Sequence, residues 1–203
     1  MPDTSLSAFT LKDINGRNFP LAQFAGRPVV IANTASACGF TPQYAGLQQL
    51  WQDRRHDGLV VIGVPSNDFG GQEPGDHAAI STFCERNFGI DFPLTEKVHV
   101  TGDAAHPLFK WLGAEAGFLG RPRWNFYKYL IGRDGLMKDW FATPTAPGAG
   151  RFQRASDPPG LGRAGRQKAG ETGDRGFRQL SVELPVHFRH TPPLPIQRPG
   201  AVI

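Results

Sequence analysis

The fold is decided by PVVIANTASACGFTP, residues 28–42, where a strand, a loop and the start of a helix follow one another. Residues 28–34 are apolar and largely β-branched at consecutive positions, which is typical of a strand buried on both faces. Thr41, followed by a proline, predicts the N-cap of a helix that runs to about residue 56. A second apolar run at residues 59–64 predicts a parallel neighbouring strand, because strand–helix–strand units pair their strands in parallel.

Further helices and strands are predicted before and after this strand–helix–strand unit. Asn15-Gly16 between short apolar runs predicts an N-terminal β-hairpin. Asp76 is suited to cap a helix to about residue 87, with Ile80, Phe83 and Cys84 on one face. Further segments are predicted as a strand at 98–100, a helix at 107–114, and two hairpin strands at 125–131 and 136–141. Together they predict an α/β fold, with a mixed central sheet and helices on both faces.

Charge and composition divide the 203 residues unequally. The formal net charge is +4, but residues 149–203 hold nine Lys and Arg against four Asp and Glu, together with eight Gly and seven Pro. We therefore expect a domain at 1–155 and a basic, disordered tail at 156–203. The nearly neutral domain argues against nucleic acid as a partner, because phosphate binding needs clustered Lys and Arg.

Targeting features are missing from the sequence pattern. There is no apolar run of about 18 residues, so no membrane span is expected. No basic region followed by an apolar stretch opens the chain, so we expect a cytoplasmic protein. The chain has two cysteines, which do not make a disulfide scaffold, and in a reducing compartment such a pair is either incidental or reactive.

Cys38 is the first candidate for chemistry. It lies in the loop that leaves the first predicted strand, and catalytic groups of open α/β sheets gather at the carboxyl ends of their parallel strands. The following helix N-terminus favours an anion such as a thiolate. The alternative from position alone is that Cys38 is a small buried apolar residue. The second loop at this sheet end is residues 65–74.

Three motifs together resemble the glutathione peroxidase family. They are NTASACGFT at residues 33–41, GGQEPG at 70–75 and WNF at 124–126, in the family's order and with similar spacing. The resemblance covers roughly residues 5–155 and implies a thioredoxin-like fold. It also implies reduction of hydrogen peroxide or organic hydroperoxides, with no metal or other cofactor.

Carried over residue by residue, the resemblance assigns an active-site tetrad. Cys38 matches the peroxidatic position, and Gln72, Trp124 and Asn125 match its other members. These three side chains are uncharged N–H donors, which suits stabilisation of a thiolate or of the departing oxygen. Without the motifs, Gln72 would be an ordinary polar loop residue and Trp124 a core anchor.

The second cysteine, Cys84, matches the family's resolving position. The resemblance implies that Cys38 is oxidised to a sulfenic acid and then forms a disulfide with Cys84, which thioredoxin reduces; glutathione is the other possible reductant. If Cys84 lies on a helix, that helix must loosen for the bond to form. The alternative is a buried structural cysteine.

Departures from the family pattern refine these expectations. The stretch between Pro107 and Trp124 is short, as in members without the insertion used for tetramers, so a monomer is expected. Asp68 adds a carboxylate to the second loop, which would oppose ionisation of Cys38 if the two were close. Two other functions remain open, a catalytically silent redox sensor and a general thiol–disulfide oxidoreductase, although the latter usually carries Cys-x-x-Cys.

Overall fold

The computed structural model describes residues 4–156 of the chain. The predicted tail lies outside the described residues apart from Ser156. Within the described part, the strands are β1 (Thr10–Lys12), β2 (Asn18–Pro20), β3 (Val29–Thr34), β4 (Val60–Pro65), β5 (Lys128–Ile131) and β6 (Met137–Phe141). The helices are α1 (Gln43–Arg54), α2 (His77–Phe88), α3 (Pro107–Glu115), α4 (Gly117–Gly120) and α5 (Gly150–Ala155).

The central sheet has the strand order β4-β3-β5-β6 and is mixed. β3 and β4 pair in parallel, with Val30 opposite Val61, while β5 runs antiparallel to both β3 and β6. Every residue of β3 and β4 is buried, as the consecutive apolar residues predict. The sheet therefore confirms the predicted fold class, and it brings the loops after β3 and β4 to one end.

Two apolar clusters cover the two faces of the sheet. Val29 and Ile31 point to one face, together with α3 and β1. Val30 and Ala32 point to the other face, where they pack with side chains from α1, α2 and α5. Both cysteines belong to this second cluster, so the predicted chemistry lies on the α1–α2 side of the sheet.

The sheet's surroundings confirm one expectation and correct another. β1 and β2 form the predicted N-terminal hairpin, with Gly16 at φ +79°, a left-handed conformation that favours glycine. The strand expected at residues 98–100 does not form. Val98 N donates to Pro65 O at 3.0 Å, but Val100 N donates to the Asp68 carboxylate instead of to a strand.

Candidate active site

In the loop between β3 and α1, the Thr41 hydroxyl links Cys38 to Ala35. Cys38 N donates to Thr41 Oγ1 at 3.0 Å, and the same oxygen donates its proton to Ala35 O at 2.9 Å. The expectation that Thr41 caps the helix is wrong, because α1 begins at Gln43 without a side-chain cap and the Thr41 hydroxyl turns back to the loop. This turn leaves Cys38 almost covered, with 7% of its surface exposed.

The Cys38 sulfur accepts a hydrogen bond from Phe40 N at 3.4 Å. A backbone N–H directed at sulfur stabilises its anionic form more than its neutral form. Within residues 4–156, no hydrogen bond joins this sulfur to Gln72, Trp124 or Asn125. The hydrogen bond to this sulfur therefore comes from the Cys38 loop itself.

Gln72 and Asn125 are in direct contact, although 53 residues separate them. Asn125 Nδ2 donates to Gln72 Oε1 at 2.9 Å, which leaves Gln72 Nε2 as the donor end of that side chain. Ala37 N also donates to Gln72 O at 2.9 Å, so the Gln72 loop is joined to the residue before Cys38. The structure therefore brings the loops of Cys38, Gln72 and Asn125 together.

Trp124 stands at the rim of this region. Its side chain is partly exposed, and its ring centroid lies 6.0 Å from that of Phe69, which belongs to the Gln72 loop. Phe40 is also exposed beside Cys38 in sequence. Phe40 and Trp124 thus each expose aromatic surface to solvent.

Asn33 is a positioning residue that the sequence reasoning missed. It is fully buried in β3, and its Nδ2 donates to Trp124 O at 3.0 Å while its Oδ1 accepts from Tyr127 N at 2.9 Å. Phe126 N donates to Asn33 O at 2.7 Å, and Phe126 has φ +63°, an uncommon conformation for a residue with a side chain. Asn33 thereby fixes the backbone on both sides of Asn125. A lone Asn in an apolar strand was the available signal.

Cys84 lies on α2, as its spacing with Ile80 predicts, and both cysteines are free thiols. The Cys84 side chain is completely buried. Burial, with a smaller contribution from the Glu73 charge, raises the pKa of the Cys84 thiol to about 11, against a lowering effect of the Tyr44 hydroxyl. In this form of the protein Cys84 is therefore a neutral thiol that solvent cannot reach.

The Asp68 carboxylate binds three consecutive residues, His99 to Thr101. Its Oδ1 lies 2.7 Å from His99 Nδ1, and its Oδ2 accepts from Val100 N at 2.6 Å and Thr101 N at 3.1 Å. Burial alone would raise the pKa of Asp68, but these hydrogen bonds outweigh it and lower the pKa. The carboxylate thus fastens residues 99–101 to the second loop.

Lys128 is a second residue that sequence reasoning missed. It is fully buried in β5, and its Nζ donates to Gln43 Oε1 at 2.7 Å. Gln43 Nε2 donates to Thr143 O at 2.6 Å, and Thr143 Oγ1 donates to Asn125 O at 2.6 Å. Desolvation lowers the pKa of Lys128 to about 7. This buried chain of bonds connects the start of α1 to Asn125.

The described residues were also searched for metal-binding clusters and for membrane-spanning helices. Residues 4–156 contain no cluster of three or more His, Cys, Asp or Glu side chains suited to hold a metal ion. In the same part of the chain, no helix has the length and apolar character needed to cross a membrane.

A mixed sheet that carries Cys38 in the loop after its first parallel strand defines the thioredoxin-like fold class. A thiol:disulfide interchange protein of the thioredoxin family from Chlorobium tepidum shares this fold, with a TM-score of 0.57 at 15% identity over 75% of this chain and 93% of its own. The family model for glutathione peroxidase matches residues 6–113. The chain belongs to the glutathione peroxidase family and is a peroxidase.

Individual relatives support this assignment. The chain is 46% identical over 145 residues to glutathione peroxidase homolog BsaA of Halalkalibacterium halodurans, covering 70% of this chain and 92% of the relative. It is 45% identical to the glutathione peroxidase-like peroxiredoxin GPX5 of Chlamydomonas reinhardtii, covering 66% and 84%. It is also 45% identical to the hydroperoxy fatty acid reductase gpx1 of Synechocystis, covering 71% and 90%.

Solved structures agree with the sequence relatives. The crystal structure of Trgpx in apo form has a TM-score of 0.62 at 38% identity, covering 77% of this chain and 98% of its own. The crystal structure of T. cruzi GPX1 has a TM-score of 0.60 at 28% identity, covering 74% of this chain and 92% of its own. Both comparisons reach beyond the family-model match into the segment that carries Trp124 and Asn125.

Proposed function

We propose that Cys38 is the peroxidatic residue of a thiol peroxidase that acts on hydrogen peroxide and organic hydroperoxides. The observation that carries the proposal is the convergence of three loops on the end of β3, where the Cys38 sulfur already accepts the Phe40 N–H. The thiolate attacks one peroxide oxygen, the O–O bond breaks, and the products are a Cys38 sulfenic acid and an alkoxide or hydroxide. That anion takes a proton to leave as alcohol or water.

Gln72, Trp124 and Asn125 supply the uncharged donors for this step. The bond between Asn125 Nδ2 and Gln72 Oε1 orients the Gln72 amide so that its Nε2 can be directed at sulfur or at the leaving oxygen. Asn125 Oδ1 is buried without a partner among the described residues, which is consistent with a side chain that exchanges hydrogen bonds during turnover. In this proposal Trp124 offers its indole N–H to an incoming peroxide, and the partial exposure of its side chain supports that role.

Cys84 is proposed to resolve the sulfenic acid. Its sulfur attacks the Cys38 sulfur, a disulfide forms, and the sulfenic oxygen leaves as water. Because Cys84 is fully buried on α2, this helix must partly open before the two sulfurs can bond. A dithiol protein of the thioredoxin type then reduces the disulfide by exchange; relatives named peroxiredoxins support this reductant.

The proposal also covers the oligomeric state and the cellular location of the protein. A monomer is supported by the short segment between Pro107 and Trp124, which holds only α3, α4 and their connections. A cytoplasmic location is supported by a mechanism that needs both thiols reduced at the start of each cycle. Sedimentation of the reduced and oxidised protein tests the first of these statements directly.

The function is tested by peroxide consumption with thioredoxin and, separately, with glutathione. Wild type is expected to turn over with thioredoxin, Cys38→Ser to fall to the uncatalysed background, and Cys84→Ser to consume one equivalent and stop. Unchanged activity in Cys38→Ser would refute the peroxidatic assignment. Full thioredoxin-linked turnover in Cys84→Ser would refute the resolving role, and single-equivalent oxidation of wild type would favour a redox sensor.

A further inference from the structure

Lys128 is a fully buried, titratable side chain that has no part in the proposed reaction. Its Nζ donates to Gln43 Oε1 at 2.7 Å, and within residues 4–156 the side chain makes no other hydrogen bond and no ion pair. Nζ carries hydrogens in its protonated and in its neutral state, so it can donate this bond on either side of its pKa of about 7. Burying an amine against one uncharged acceptor costs stability, and such costs are found at functional sites.

The Gln43 amide receives this bond and connects Lys128 to Thr143. A backbone carbonyl can only accept, so the amide nitrogen faces Thr143 O at 2.6 Å, and the amide oxygen is left to face Lys128 Nζ. Reversal of the amide would set two oxygens against each other at Thr143. The Lys128 bond thus keeps Gln43 in the orientation that binds Thr143.

Gln43 also belongs to the structure that holds Cys38. It is the first residue of α1, and its backbone N donates to Phe40 O at 2.9 Å. Phe40 N in turn donates to the Cys38 sulfur at 3.4 Å. A displacement of Gln43 is therefore transmitted through a single residue to the donor on the sulfur.

Thr143 continues the connection to the uncharged donors of the site. Its side chain is buried, and its Oγ1 donates to Asn125 O at 2.6 Å. Asn125 Nδ2 donates to Gln72 Oε1 at 2.9 Å. We call Lys128, Gln43 and Thr143 the Lys128 network, and it reaches Gln72 through Asn125.

The Lys128 network complements a second link between the loops of the site. Before Cys38 in the chain, Ser36 Oγ donates to the buried Glu73 Oε1 at 2.5 Å and links the Cys38 loop to the second loop. After Cys38, the Lys128 network links the start of α1 to Asn125. The Cys38 loop is therefore fixed on both sides.

We propose that Lys128 is a positioning residue for the peroxide-reducing step. Through its network it fixes the Cys38 loop relative to Asn125, and Asn125 orients the Gln72 amide. A displacement of about 1 Å between reacting groups can cost about 10²-fold in rate, so loosening of this network slows the attack on peroxide. The inference rests on the proposed peroxidatic role of Cys38.

The test follows the two half-steps in the full-length protein over a range of hydrogen peroxide concentrations. Samples are quenched with an alkylating reagent, and mass spectrometry measures loss of the Cys38 thiol and formation of the Cys38–Cys84 disulfide. Lys128→Met is expected to slow loss of the Cys38 thiol about tenfold and to leave its later conversion to the disulfide near the wild-type rate. A general loosening of the fold would change the second step as well, because it would ease the opening of α2.

A change of charge at Gln43 separates positioning from simple pairing of the buried amine. Gln43→Glu keeps an oxygen for Lys128 but has no N–H for Thr143 O. It is expected to slow loss of the Cys38 thiol about tenfold, as Lys128→Met does. If pairing of the amine were the whole role of Gln43, the wild-type rate would be kept. Gln52→Glu, the same change at an exposed position of α1, is the matched control and should leave both half-steps unchanged.

A double-mutant cycle tests whether Lys128 acts through Thr143. Thr143→Val removes the bond to Asn125 O with little change of shape and should also slow the first half-step about tenfold. Lys128→Met should then add less than about twofold in the Thr143→Val protein, because the connection is already cut. Independent packing effects of the two changes would instead multiply to about a hundredfold.

The outcomes decide the positioning role separately from the proposed function. Wild-type loss of the Cys38 thiol in Lys128→Met or in Gln43→Glu, or multiplied effects in the double variant, would overturn the positioning role. If Lys128→Met does not fold, the rate of Gln43→Glu decides, since that position is partly exposed and the change keeps the buried amine paired. If Cys38→Ser still reduces peroxide, the peroxidatic assignment fails first, and the role of Lys128 fails with it.

Discussion

The two twelve-residue helices of the thiol side differ in how firmly they are held. α1, which follows the Cys38 loop, buries Tyr44, Leu47, Gln48 and Leu50. α2, which carries Cys84, buries only Ile80 and Cys84. Each fully buried large apolar side chain stabilises the fold by about 1.5–3 kcal/mol, so α1 is the more strongly anchored of the two.

Polar contacts widen this difference. Gln48 on α1 exchanges hydrogen bonds with Asp91, at 2.6 Å from Nε2 to Oδ1 and 3.2 Å from Asp91 N to Oε1. The start of α1 is tied to the fully buried Lys128, whereas the carbonyls just before α2 are tied to the half-buried Lys97. In the proposed mechanism, the firmly held α1 keeps the Cys38 loop in place, and the more weakly held α2 can open to release Cys84. On this face of the sheet, α1 is therefore the firmly held helix and α2 is the helix that can open.

The largest expected effect comes from truncating the anchor of α1. Leu47→Ala removes a completely buried side chain and should lower the free energy of unfolding by about 2–5 kcal/mol, measured by urea denaturation. It should not accelerate formation of the Cys38–Cys84 disulfide, because α2 remains docked.

Ile80→Ala is the matched truncation on α2. Ile80 is equally buried, but its loss lowers the cost of local α2 opening, so disulfide formation should become about tenfold faster or more. Equal effects of both variants on disulfide formation would show that the two helices do not differ in this way.

Amide hydrogen exchange compares the helices without mutation. In the reduced protein, the amides of α2 should exchange about ten- to hundredfold faster than those of α1, since α2 buries one or two fewer large side chains. Mass spectrometry of peptides from the two helices measures this ratio, and oxidation by peroxide should increase exchange only in α2. Protection of α2 equal to that of α1 would contradict helix opening as the route to Cys84.

The sequence pattern predicts the local part of this arrangement and misses the long-range part. The buried run of β3 and the helical spacing of Ile80 and Cys84 are confirmed, because both depend on neighbouring residues alone. The cap expected from Thr41 is wrong because Ala35 O and Cys38 N compete for its hydroxyl. Asp68 finds its partners some thirty residues away, which no local pattern reveals.

The burial of two ionisable side chains, Lys128 and Glu73, could not be predicted from the sequence either. A lysine in a strand is normally taken as a solvent-facing residue, yet every residue of β5 is buried and Lys128 is enclosed between the sheet and α1. Glu73 lies in the loop motif GGQEPG, in which the family pattern assigns a role to its neighbour Gln72. Both become visible only when the partners of their polar atoms are known.

The buried Lys128, which binds the start of α1, predicts that the stability of the protein depends on pH. Its native pKa of about 7 lies far below that of a lysine in the unfolded chain, so above pH 7 the unfolded state binds more protons. Stability should therefore rise between pH 7 and 8.5, with a contribution of up to about 1.4 kcal/mol per pH unit. Lys128→Met should lose this slope in urea denaturation, whereas Lys138→Met, at a half-exposed position, should keep it. Equal slopes in both variants would contradict a titration of Lys128.

The smallest expected effect concerns the start of α2. Asp76 Oδ1 accepts from Ala79 N at 2.8 Å and caps the helix, a contact worth about 1 kcal/mol. Asp76→Ala should therefore ease α2 opening and accelerate disulfide formation up to about fivefold, while Asp76→Asn, which keeps a capping oxygen, should stay near the wild-type rate. A change in Asp76→Asn as large as that in Asp76→Ala would assign the effect to charge instead of to the cap. Two parts of α2 would then control the rate of disulfide formation. One is the exposed first turn, which Asp76 caps, and the other is the buried face, which contains Ile80.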